Sequence, residues 1–96
     1  MSGDVFQNRE GVRRALNLPG LVQHSIIGPS DEAFQGTLKA MIEDVVGADQ
    51  IVNSTVVASR NGKFISYRFE VYHTNLEDVE EIYRRAAKIE GVQFVL

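Results

Sequence analysis

Asn61-Gly62 stands between two runs of strand-forming residues, and no other feature restricts the fold of this chain as tightly. Upstream, Ile51 to Ala58 is rich in β-branched side chains. Downstream, Phe64-Ile65-Ser66-Tyr67-Arg68-Phe69-Glu70-Val71-Tyr72-His73-Thr74 alternates over its whole length. Asn-Gly supplies the positive φ angles of a two-residue type I′ turn, so the flanking strands pair antiparallel. The two-residue side-chain period of a strand puts Ile65, Tyr67, Phe69, Val71 and His73 on one face. Phe64, Ser66, Arg68, Glu70 and Tyr72 fall on the other. The first set reads as a core face and the second as an open, polar face carrying two aromatics, which is the pattern of a one-sided antiparallel sheet.

The other elements follow from similar local signals. Leu21 to Ile27 reads as a first strand ended by Gly28-Pro29. Ser30 is placed to cap a helix, with Asp31 and Glu32 suited to the positive end of its dipole. Phe34, Leu38, Met41, Ile42 and Val45 recur at helical spacing until Gly47. Thr74-Asn75-Leu76-Glu77 has the capping-box pattern, and Leu76, Val79, Ile82, Tyr83, Ala86 and Ile89 form one face of a second helix closed by Gly91. Val92 to Leu96 is a last strand, which ties the end of the chain into the sheet. Residues 1–20 read as an arm, or as a short helix over Asn8–Leu16 stopped by Pro19-Gly20, ahead of a domain at 21–96. The order β-α-β-β-α-β, with right-handed crossovers, predicts an α+β ferredoxin-like sandwich. Its four-stranded antiparallel sheet has the order 4-1-3-2, with both helices on one face.

Composition narrows the function classes. Ninety-six residues make one domain, and 44% hydrophobic with 24% charged residues is the balance of a globular protein rather than a disordered one. The net charge of −3 opposes nonspecific nucleic-acid binding, which needs a basic surface. The absence of cysteine removes disulfides, thiolate chemistry and cysteine-ligated metals, and suits a reducing cytosol. The acidic Met1-Ser2-Gly3-Asp4 start is no secretory signal, and no apolar run approaches the roughly 20 residues of a membrane span. The chain reads as cytoplasmic.

No constellation for catalysis emerges. His24 and His73 are the only histidines, without metal-ligand spacing, and each reads as structural or exposed. Ser59 and Ser66 lie at the hairpin without an evident base, and Ser66 reads as a structural hydrogen-bonding group. Glu80 with Arg84 and Glu81 with Arg85 are i,i+4 pairs on a solvated helix face. Gly28 and Ser30, at a helix start, form a candidate ligand loop for an anion, but without a phosphate-loop pattern. An RRM-like RNA reader would need aromatics on the open face of the third strand, where Ser66 stands and from which Tyr67 and Phe69 turn away. The scattered Arg13-Arg14, Lys63 and Arg68 do not change that reading.

Several stretches together resemble the YbeD-like family of small uncharacterised bacterial proteins. They are Leu18-Pro19, the first strand running into Gly28, Ser59 with Asn61-Gly62-Lys63-Phe64-Ile65-Ser66, Ile82-Tyr83-Arg84, and Gly91-Val92-Gln93-Phe94-Val95-Leu96. The chain departs from that pattern at His24-Ser25, where relatives tend to carry an aromatic residue and a lysine, and in its longer lead-in. The resemblance implies a ferredoxin-like fold similar to ACT domains, and no established activity or cofactor. The expected function is a non-enzymatic, ACT-like regulatory or protein-interaction module. Ser59, Gly62, Phe64, Ser66, Arg68, Glu70 and Tyr72, joined by Gln23 and Ser25, would form its partner or self-association surface. The alternative is sensing of a small ligand at the Gly28–Ser30 loop: an amino acid, as in ACT domains, or a lipoate-related compound, since family members are often encoded near lipoate-synthesis genes. RNA binding ranks behind both, and no membrane contact is expected.

Overall fold

The computed structural model describes residues 16–58 and 62–96. It contains strand β1 (Gly20–Gly28), helix α1 (Glu32–Val46), a 3-10 turn (Ala48–Gln50), β2 (Ile51–Ala58), β3 (Ile65–His73), α2 (Leu76–Ala87) and β4 (Phe94–Val95). The strands form one sheet in the order β2-β3-β1-β4, and every neighbouring pair is antiparallel. This is the ferredoxin-like arrangement expected from the sequence. The expected N-terminal helix lies outside the described residues except for Leu16, as do Ser59, Arg60 and Asn61 of the expected turn.

The sheet is built on β1 and β3, which pair without interruption from Gly20 opposite His73 to Gly28 opposite Ile65. Ile65, Tyr67, Phe69, Val71 and His73 are all buried, as the alternation requires. They pack with Ile26 of β1, Phe34, Leu38 and Ile42 of α1, and Ile82 and Ala86 of α2. A second, smaller cluster joins Val22, Leu76 and Val79 beneath the half-buried Leu16 and Leu18. On the other side of β3, Ala58 stands opposite Ile65. Gly62 has the positive φ, +71°, that the second turn position needs.

Both helix starts differ from expectation by one residue. Asp31, not Ser30, caps α1, its side chain accepting from the Ala33 amide at 2.8 Å. Asn75, not Thr74, caps α2, accepting from the Asp78 amide at 2.8 Å. In each case two adjacent residues are chemically able to cap, and the packing of the first buried helical residue selects between them. β4 is shorter than the expected Val92–Leu96. Its surroundings are nonetheless held, since the Gln93 amide donates to Ile27 at 2.7 Å and Ser25 and Leu96 exchange backbone bonds of 3.2 and 2.7 Å.

Gly28 fixes how α1 docks. A Cβ there would fall 2.4 Å from the ring of Phe34, which is itself buried and packed at a 53° tilt on Tyr67. The ring cannot withdraw without opening the core, so overpacking at this point is costly. Gly28→Ala is expected to lower stability by about 1–3 kcal/mol in chemical denaturation, and Phe34→Leu in the same chain to recover part of that loss.

Candidate functional site

The outer face of the sheet carries side chains in four rows that run across the strands. At one end Leu21 of β1 stands opposite Tyr72 of β3. Next come Asn53, Glu70 and Gln23, then Thr55, Arg68 and Ser25. The last row is Val57, Ser66, Ile27 and Phe94. Two polar rows therefore lie between two apolar ones. Leu21, Tyr72 and Phe94 are 54%, 40% and 62% exposed, which leaves both apolar ends open to solvent.

The polar rows are organised by local contacts. Arg68 Nε donates to Ser66 Oγ at 3.3 Å, Asn53 Nδ2 to Glu70 Oε1 at 3.4 Å, and Gln23 Nε2 to Ser25 Oγ at 3.2 Å. Arg68 and Glu70 balance one another in charge. Ser25 is buried beneath its neighbours, whereas Gln23 and Arg68 stay exposed. Phe64 is half-buried just ahead of β3, and Gly62 is exposed; Ser59 lies outside the described residues.

The proposed ligand loop is used structurally. Gly28 is buried, Ser30 is exposed, and Tyr67 reaches the loop from β3. Its hydroxyl donates to the Pro29 carbonyl at 2.6 Å and accepts from the Asp31 amide at 3.3 Å. The groove beside it, about 420 Å³, is lined by Pro29, Asp31, Ala33, Phe34, Thr37, Ile89 and Glu90.

Sequence reasoning missed the meeting of the two histidines. His24 stands opposite Phe69 and His73 opposite Gly20 in the ladder, so the rings approach obliquely over the core face. Their Nε2 atoms are 2.9 Å apart and the rings are edge-on, at 72°. Both are buried, and His73 Nδ1 has no hydrogen-bond partner among the described residues. One Nε2 donates and the other accepts. A buried N–H without an acceptor costs more than a bare lone pair, so His73 is the donor and its Nδ1 the unprotonated atom. Alternation alone placed His73 inward, but nothing in the spacing of residues 24 and 73 signals contact.

Burial first, and the neighbouring His73 second, together lower the pKa of His24 from 6.5 to about 4. His73 is also lowered by burial, partly offset by the charge of Asp78. Among the described residues no three His, Cys, Asp or Glu side chains gather as a metal site. On α2, Glu81 binds both Arg84 and Arg85, the latter at 2.7 Å, and Arg85 also reaches Asp44 of α1 at 2.7 Å. These contacts hold the Glu81 carboxyl below its usual range. Glu80 is buried rather than part of the solvated face expected of it.

The family model described as protein of unknown function, DUF493, matches residues 14–96. The chain belongs to the DUF493 family. A UPF0250 protein of Shewanella piezotolerans is 25% identical over 81 residues, covering 84% of this chain and 90% of that relative. The solution structure of protein HP0495 from H. pylori superposes with a TM-score of 0.61 at 21% identity, covering 81% of each chain. The ACT domain of a GTP pyrophosphokinase from Chlorobium tepidum gives 0.49 at 17% identity, over 79% of this chain and 94% of that one. The family match and the UPF0250 relative agree with the YbeD-like resemblance, and the superposition on HP0495 agrees with the ferredoxin-like fold. Among the described residues of this DUF493 protein, no helix is long and apolar enough to cross a membrane.

The histidine pair predicts a pH dependence. Because His24 titrates near 4 when folded and near 6.5 when free, the unfolded chain binds more protons between those values, and stability falls as the pH drops through that window. From pH 7.5 to pH 5 the loss expected from His24 is about 2 kcal/mol in urea unfolding. His24→Phe should flatten the profile; an unchanged loss would remove His24 as its cause.

Proposed function

We propose that this protein is a non-catalytic interaction module that binds a protein partner through the outer face of its sheet. The supporting observation is the row pattern of that face. Leu21 with Tyr72 at one end and Ile27 with Phe94 at the other flank a polar band centred on Gln23, Arg68 and Glu70. Exposed aromatic and aliphatic groups around a central arginine are the components from which protein interfaces draw binding energy and register. A polyanion would meet little net charge there, since Arg68 is balanced by Glu70, and the two open aromatics stand at opposite ends rather than side by side. RNA is disfavoured on both counts.

The buried polar groups support a non-catalytic role. The two histidines face each other inside the core, and the Tyr67 hydroxyl is occupied by the β1–α1 loop. A candidate base must reach its substrate, and neither ring is open to one. The same saturation weighs against small-ligand sensing at Gly28–Ser30, because the Asp31 amide is already met by Tyr67 and the Ala33 amide by the Asp31 side chain. A regulatory role remains part of the proposal, as the consequence of partner binding.

Retention of a specific protein by the tagged wild-type chain, compared with an Arg68→Glu/Tyr72→Ser chain, tests this reading. Both side chains are solvent-facing, so the double variant is expected to melt as the wild type does while losing the partner. Equal retention by both chains would exclude the face as the binding surface. A melting temperature raised by amino acids or lipoyl compounds would favour ligand sensing instead.

A further inference from the structure

We propose that β2 is a self-pairing edge, and that two copies of this chain join through it into one continuous eight-stranded sheet. This surface is separate from the outer face assigned above. Among the described residues, β2 has β3 on one side and no strand on the other. Alternate residues of an edge strand direct their N–H and C=O groups away from the sheet, ready to accept another strand. Proteins that must stay single blunt such edges with lysine, proline, inward-pointing charge or a bulge. Ile51-Val52-Asn53-Ser54-Thr55-Val56-Val57-Ala58 has no charge and no proline. Its single irregularity, between Ile51 and Asn53, leaves Asn53 to Ala58 in regular register. The opposite edge, β4, is a two-residue strand and offers far less.

The exposure of β2 says what kind of partner fits. Ser54, Val56 and Ala58 share the helix side with Phe69, Tyr67 and Ile65, which are at most 7% exposed. Yet Val56 is 47% exposed, and on the outer side Val57 is 37% exposed. The helices of one copy therefore stop short of β2, leaving it uncovered above as well as below. An extended peptide would satisfy the edge hydrogen bonds but leave the Val56 side bare. A folded neighbour whose sheet continues this one, with its helices on the same side, covers both. A second copy meets that requirement by a two-fold axis perpendicular to the sheet.

The chemistry of the strand permits such symmetry. An isologous contact sets each residue near its own copy, where a charge would face itself. None lies in β2, and the flanking groove of about 390 Å³, lined by Lys39 and Glu43 with Ala48 and Ile51–Ser54, pairs one cation with one anion. Residues paired across antiparallel strands share a face, so the axis passes at a residue, and a contact centred on Ile51–Ala58 puts it at Ser54 or Thr55.

Sedimentation of the full chain from micromolar to millimolar concentration tests the proposal. The wild type is expected to approach twice the monomer mass, while Val56→Lys stays monomeric or dimerises at least tenfold more weakly, with unchanged circular dichroism. The Arg68→Glu/Tyr72→Ser chain should dimerise as the wild type does, which separates failure of the edge from failure of the face. A wild type that remains monomeric throughout, or a dimer that Val56→Lys leaves intact, overturns the proposal. The chain has no cysteine, so single substitutions give an independent readout. Under diamide oxidation, Ser54→Cys or Thr55→Cys should form a disulfide-linked dimer and Glu90→Cys should not. Linkage at Glu90→Cys and at neither strand position contradicts the symmetric edge.

Discussion

The antiparallel pairing of β1 with β3 is the constraint on which the rest of this structure depends. It runs unbroken from Gly20 and His73 to Gly28 and Ile65, and it puts Ile26, Tyr67, Phe69 and Val71 on a single surface. Both helices pack on that surface because it is where the apolar side chains of two strands combine. Shifting the register by one residue would turn Phe69 and Val71 outward and Arg68 and Glu70 inward. The loss would include two of the largest buried side chains and add two buried charges, so the pairing has no near competitor.

Toward both ends this frame is held by polar contacts rather than by apolar packing alone. Tyr67 ties β3 to the loop after β1, and the His24–His73 pair bridges the same two strands farther along. His24 falls between Val22 of the smaller cluster and Ile26 of the larger one. A buried hydrogen bond between neutral rings at that seam is stable only while both remain uncharged. The contact therefore adds specificity near neutral pH and becomes a weakness in acid.

The sequence exposed the fold through strong, short-range signals: Asn-Gly, the alternation of residues 64–74, and the helical spacing of Phe34, Leu38 and Ile42. Each depends on neighbours a few positions away. The outer face was legible for the same reason, since alternation assigns Ser66, Arg68, Glu70 and Tyr72 directly. Three features depended on distant residues and were not legible. The cap positions at Asp31 and Asn75 follow from how each helix docks. The histidine contact joins two strands at a diagonal that no spacing encodes. The exposure of β2 was hidden because Val52, Val56 and Val57 look, in sequence, like residues of a buried strand.

The outer face and the β2 edge both follow from a two-layer design in which, among the described residues, two helices cover a four-stranded sheet on one side only. A buried centre with an available edge and face is the physical basis for reading the protein as an interaction module. Amide hydrogen exchange at two protein concentrations tests that division most directly. The account predicts slow exchange across β1 and β3 at both concentrations, with the outward amides of residues 51–58 fast in dilute solution and protected when concentrated. Exchange in β2 that does not depend on concentration, or β1 and β3 amides that exchange as fast as those of β2, would contradict it.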